Sequence, residues 1–165
     1  MVRHRWVVTL GVTVLAVVGQ SARRSFDRVK LLESEGVTSA SVSLGDLDGD
    51  RDLDLVMGKG RHWPLHNMVL LNDGRAAFSA TPLADSADRT YSAALADLDG
   101  DADLDMVVSN DRPDRKLVYL NDGSGRFRKG SEFGQSDWST RYVTVADVNA
   151  DGRPDLLVAN RSGNP

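Results

Sequence analysis

The 165-residue chain has no cysteine. Disulfides, thiolate-bound metals and a lipoprotein lipobox are therefore excluded, and the lack is compatible with an oxidising compartment without requiring one. Helical periodicity is missing as well: past residue 22 no segment repeats its apolar residues at the spacing of a helix face. The sequence also lacks a G-x-S-x-G elbow, a P-loop and a zinc motif. Carboxylate pairs suited to acid–base chemistry occur only inside three acidic loops, so a catalytic assignment has no residue to rest on. The 20 basic residues are scattered, and no nucleic-acid-binding patch is expected.

What the chain does have begins at its amino end. Arg3, His4 and Arg5 precede an uncharged apolar run, Trp6 to Gly19, and small residues follow up to Ala22. This order predicts a secretory signal peptide over 1–22. The run is short of the roughly 20 residues a membrane helix needs. A mature chain from residue 23 with no membrane span is expected. Its expected location is secreted, either extracellular or on the cell surface, with the periplasm as the alternative.

Three segments then place carboxylates at every second position. The first runs from Asp46 through Asp48, Asp50 and Asp52 to Asp54. The second runs from Asp97 through Asp99, Asp101 and Asp103 to Asp105. The third holds Asp147, Asn149, Asp151 and Asp155. Together they carry 13 of the 24 acidic residues, so the net charge of −4 hides a local concentration of like charge. Like charges at this density repel, and a cation among them is the simplest remedy. Ca²⁺ suits such loops because it takes 6–8 oxygen ligands, and extracellular sites bind it at about 10⁻⁴–10⁻³ M. Positions 1, 3, 5 and 9 are the expected side-chain ligands: Asp46, Asp48, Asp50 and Asp54; Asp97, Asp99, Asp101 and Asp105; Asp147, Asn149, Asp151 and Asp155. Up to three Ca²⁺ are expected, the third held more weakly because Asn149 is neutral. Asp52 and Asp103 are expected to lie at the periphery, since Arg153 stands at the same position. An EF-hand is excluded. That loop needs Gly at position 6 and Glu at position 12, whereas position 12 is Met57, Val108 and Val158.

The loops mark an internal repeat. Phe26, Phe78 and Phe127 precede them at constant distance, and Asn72-Asp73-Gly74 and Asn121-Asp122-Gly123 follow in phase. Between these landmarks the segments Ser41 to Leu44, Leu53 to Met57, Asn67 to Leu71 and their repeats read as strands. The Asn-Asp-Gly sequences read as short turns in which Asn and Gly take positive φ. Four short antiparallel strands in about fifty residues is the size of a β-propeller blade. The expected fold is all-β, a partial or truncated propeller of about 2.5–3 blades. The repeat region 23–165 divides into a blade strand at 25–33, repeats at 40–83 and 91–133, and a partial repeat at 142–165. Such a count suggests a fragment of a longer product, or self-association that completes a ring.

The pattern D-x-D-G-D-x-x-x-D, followed by Leu-Val and then by Asn-Asp-Gly and Phe, resembles the FG-GAP/VCBS repeat family. That family includes the integrin α-subunit propeller and many secreted bacterial proteins. The resemblance covers about residues 26–160. It implies a propeller with Ca²⁺ in the loop between the first two strands of each blade, held by the side chains named above. Asn149-Ala150 and the small number of repeats depart from the family pattern.

His62 and His66 flank Trp63-Pro64-Leu65, and Pro64 argues against a helix that would present both to zinc. They are expected in an exposed loop. Tyr91 and Trp138, in connections between blades, are expected to pack in the core rather than stack on a ligand. The function expected is a secreted calcium-binding module for adhesion to an extracellular protein or glycan, with the ion structural. The alternative is a piece of an extracellular lyase or hydrolase whose catalytic part lies elsewhere.

Overall fold

A computed structural model of the chain describes residues 30–32, 36–84 and 87–161. Every strand among the described residues lies in the unit Leu32–Pro165. The predicted signal peptide falls outside the described residues. So does most of the predicted strand at 25–33, and residues 30–32 form no strand. Among the described residues no helix is long and apolar enough to cross a membrane.

Among the described residues ten strands form three antiparallel sheets. Blade 1 is β1 (Ser39–Gly45), β2 (Asp54–Lys59), β3 (Met68–Asn72) and β4 (Phe78–Pro82), hydrogen-bonded in chain order. Blade 2 repeats it with β5 (Thr90–Ala96), β6 (Asp105–Asn110), β7 (Lys116–Asn121) and β8 (Phe127–Phe133). Blade 3 has two strands, β9 (Thr140–Ala146) and β10 (Asp155–Asn160). The all-β partial propeller read from the sequence is the fold observed.

Blade 2 has two apolar faces because it has a neighbouring blade on either side. In β6, Met106 and Val108 join Leu47, Val56 and Val69 of blade 1 in one core. Val107, on the opposite face of the same strand, packs with Val143 of blade 3 in another. All three β6 residues are wholly buried, which explains the uninterrupted apolar run at 106–108. Serines seal the seams. Ser41 Oγ accepts from Ala93 N at 3.2 Å, and Ser43 Oγ donates to the Ala93 carbonyl at 2.8 Å. One repeat later, Ser92 Oγ accepts from Val143 N at 3.0 Å.

The Asn-Asp-Gly turns differ from expectation. Asn72 and Asn121 are the last residues of their strands, and positive φ falls on Gly74 and Ala76, and on Gly123 and Gly125. The turns are longer than two residues: the Asp73 amide reaches the Ala77 carbonyl, and Asp122 reaches Arg126. Gly74 and Gly123 are needed for room as well as for φ. A Cβ there would lie 2.5 and 2.6 Å from Oδ2 of Asp52 and Asp103.

Candidate metal centre

The acidic turns join β1 to β2, β5 to β6 and β9 to β10, at the same end of each inner hairpin. Closely similar hydrogen bonds shape all three, with one donor amide shifted by a residue in the third. The Asp at position 1 accepts amide N–H groups through both oxygens. Asp46 takes Gly49 and Arg51 at 2.8 and 3.0 Å, and Asp97 takes Gly100 and Ala102 at 2.7 and 3.0 Å. Asp147 takes Asp151 and Gly152 at 3.2 and 2.8 Å. Position 5 accepts the amide two residues on, in Asp50, Asp101 and Asp151 alike. The chain thus curls around its own carboxylates.

Curling this tightly demands positive φ at positions 4 and 6. These are Gly49 and Arg51, Gly100 and Ala102, and Ala150 and Gly152. Each turn supplies glycine at one of the two and bears a side chain in the left-handed region at the other. Asn149-Ala150 in the third turn is therefore compensated by Gly152, and the three turns share one path.

Position 9 has a role the sequence reading did not give it. Asp54 and Asp105 are wholly buried. Oδ2 of each accepts the amide at position 2 of its own turn, Leu47 at 2.8 Å and Leu98 at 2.9 Å. Oδ1 of each accepts the amide at the end of the third strand, Asn72 at 2.8 Å and Asn121 at 2.9 Å. One carboxylate ties the acidic turn to the neighbouring hairpin. A signal existed in the sequence: an Asp opens each buried apolar strand in phase with the strand-ending Asn. Asp155 keeps the first bond, from Val148 at 3.0 Å, in a blade where the third strand is not present among the described residues.

Two turns bring three carboxylates together with oxygens within 4.8 Å of one another: Asp46, Asp48 and Asp50 in the first, Asp97, Asp99 and Asp105 in the second. Asp54 lies outside the first trio and Asp101 outside the second. The third turn forms no such trio among the described residues, and Asn149 Nδ2 donates to Asp151 at 3.1 Å. Asp52 and Asp103 lean over the glycines of the following turns, away from the trios' membership.

The electrostatics fit a cation. Partial desolvation, then repulsion from Asp54, Asp50 and Asp46, holds Asp48 above its ordinary pKa, against a bond from the Asp50 amide. Asp99 is raised by desolvation and by Asp101 and Asp105. Asp103 is raised by desolvation and by Asp101, Asp105, Asp97 and Asp122. A hard divalent ion bound by oxygen would relieve all three. Six or more oxygens exceed what three carboxylates give singly, so waters, backbone carbonyls or bidentate groups would complete the shell.

The opposite rim carries the connections between the blades. Tyr91, at the start of β5, lies under the Arg141 guanidinium at 3.8 Å, with Arg61 at 5.5 Å. Its hydroxyl meets His62 Nδ1 at 3.1 Å. Arg141 Nη1 lies 2.9 Å from Asp111 Oδ2, an ion pair by distance without a hydrogen-bond alignment. His62 and His66 are exposed, as expected, and His66 Nδ1 lies 3.1 Å from the Ala84 carbonyl. Trp138 packs on Gly134. Lys116, fully buried, donates to the carbonyls of Asp114, Gln135 and Trp138, pinning the connection from β8 to β9.

Four-stranded blades of about fifty residues, each with an acidic turn between its first two strands, define a β-propeller-type repeat protein. The model of the FG-GAP-like repeat matches twice, at residues 46–108 and 97–158. Each match opens on the first aspartate of an acidic turn and spans two of them. The chain belongs to the FG-GAP-like repeat family. No curated protein matches it.

Proposed function

We propose that this chain is an exported binding module whose acidic turns hold Ca²⁺ as a structural ion. The observation that carries the reading is the pair of carboxylate trios in repeat-equivalent turns. Asp46, Asp48 and Asp50, and Asp97, Asp99 and Asp105, would hold the ions. Asp54 would act as a ligand only while also serving its two backbone bonds. The ion supplies positive charge where three carboxylates crowd, and it has no reacting partner. The third turn would bind more weakly, because it assembles no trio and carries the neutral Asn149. The far rim, with Tyr91, Trp63 and the arginines around them, offers the contact surface for an extracellular protein or glycan. Export accords with this reading because extracellular Ca²⁺ reaches the millimolar range that such sites need.

The test is thermal unfolding and calorimetry of the full chain. At a Ca²⁺ concentration 10- to 100-fold above Kd, each site should add about 1–3 kcal/mol of stability relative to chelator. Absence of any Ca²⁺-dependent shift at millimolar ion would overturn the reading.

A further inference from the structure

We propose that the rim opposite the acidic turns binds an acidic polysaccharide through Arg61, Arg141, Tyr91 and Trp63. This rests on the reading of that rim as a contact surface, and it names the chemistry the surface would take. The first observation is a departure from the repeat. Blade 1 joins β2 to β3 through 60–67, eight residues, whereas blade 2 joins β6 to β7 through 111–115, five residues. The five-residue path suffices to join such strands, so the longer one is free to carry a contact. It holds Arg61, His62, Trp63 and His66 and no acidic residue.

The longer connection is braced. Arg61 N donates to the Thr90 carbonyl at 3.1 Å, and Trp63 N donates to the Gly60 carbonyl at 3.0 Å. Leu65 N and Asp88 N each donate to the other's carbonyl at 3.1 Å. Gly60 has a φ of 103°, and a Cβ on it would lie 2.3 Å from the Trp63 carbonyl oxygen. On this backbone Trp63 is 71% exposed. A flat apolar ring is thus presented at a set position, which lowers the ordering cost of a contact.

The charge comes from two guanidinium groups that share one ring. Arg141 and Arg61 stand 3.8 and 5.5 Å from the centre of the Tyr91 ring, and the His62 ring meets it edge-on at 5.9 Å. Asp111, 2.9 Å from Arg141, offsets one of the two charges. No acid pairs with Arg61 among the described residues, and Arg61 is exposed. An exposed guanidinium without a counter-ion suits a carboxylate or a sulfate, which it can bind through two parallel N–H groups. A uronate or a sulfated sugar carries that anion and an apolar C–H face for an aromatic ring on the same unit. A simple acidic polypeptide such as polyglutamate carries the anion without the face.

Calorimetric titration of the full chain in chelator tests this, with heparin as the sulfated glycan and polygalacturonate as the carboxylated one. At least one should bind, more weakly as salt rises, and the one preferred tells sulfate from carboxylate. Dextran and polyglutamate should bind more weakly than that glycan. Arg61→Ala should lower the affinity about 10-fold or more, and Trp63→Ala about 3- to 10-fold. Both side chains are exposed, so folding should persist, and circular dichroism checks it. Arg61→Gln and Trp63→Leu replace them if it does not. Arg128→Ala, exposed on β8, should bind as the wild type does. A chain that Ca²⁺ stabilises but that ignores both glycans refutes this proposal and leaves the calcium reading standing. Glycan binding by a chain without any Ca²⁺-dependent shift does the reverse. Equal binding of polyglutamate, or an unchanged affinity in either loop variant, also refutes the proposal.

Discussion

Asp105→Ala separates two roles that one carboxylate could play. The side chain is wholly buried, and its two oxygens accept Leu98 N and Asn121 N, both at 2.9 Å. A hydrogen bond to a charged acceptor contributes about 1.5–3 kcal/mol, and a buried donor left unpaired costs a similar amount. Loss of both bonds should therefore cost about 3–6 kcal/mol, a large share of the ~5–15 kcal/mol typical of a domain. With a urea m-value near 2 kcal/mol/M, the midpoint falls by roughly 1.5–3 M. The measurement is urea unfolding followed by tryptophan fluorescence, in chelator so that no ion contributes. Asp99→Ala is the control, because Asp99 is exposed and in the same trio. It should leave the chelated midpoint unchanged or higher and remove only the Ca²⁺ increment. If Asp105→Ala costs under about 1 kcal/mol in chelator, the carboxylate anchors nothing and the assignment of position 9 fails.

Three further outcomes are expected. Gly123→Ala should destabilise by about 1–2 kcal/mol through its φ of 76° alone, and by more because the new Cβ would lie 2.6 Å from Asp103 Oδ2; thermal melts measure it. Ala150→Gly, at φ 61°, should stabilise by roughly 1 kcal/mol by the same conformational argument, read as a raised Tm. Asp99→Asn should change the pH dependence in chelator. The folded pKa of Asp99 lies above its ordinary 3.8, so its favourable contribution exists below 3.8 and is lost as pH rises through the folded value. The variant should exceed wild type in urea midpoint at pH 7, match it at pH 3, and fall behind it at pH 7 once Ca²⁺ is added.

The blades were legible because the repeat is written in residues that folding cannot substitute freely. Alternation fixed β1 at Ser41-Val42-Ser43-Leu44 and β9 at Tyr142-Val143-Thr144-Val145. The unbroken run at Met106–Val108 identified a strand, while its packing on both faces emerged only from the fold. The acidic turns were legible for the same reason, since aspartates alternating around tight-turn residues mark where the chain curls. Which carboxylates actually converge was not legible. Asp50 joins its trio while Asp101 does not, and this depends on side-chain directions set by the whole turn. The anchoring role of Asp54 and Asp105 was hidden because it involves Asn72 and Asn121, far along the chain. The turns after β3 and β7 were misjudged: Asn is favoured at positive φ, but here it ends a strand, and the strain falls on Ala76.

Asn121 gives the repeat an unexpected boundary. Its side-chain amide donates to the Leu104 carbonyl at 3.3 Å and to the Leu47 carbonyl at 2.8 Å. Leu47 belongs to the acidic turn of the preceding blade. The turn of one blade is therefore finished by a side chain that the following blade contributes. A sequence repeat that is cut between β4 and β5 divides one such closure in two. Duplication of a single fifty-residue unit could thus not yield independent blades. Each added copy completes the turn before it and presents an incomplete turn of its own, so such a chain grows by mending its last end.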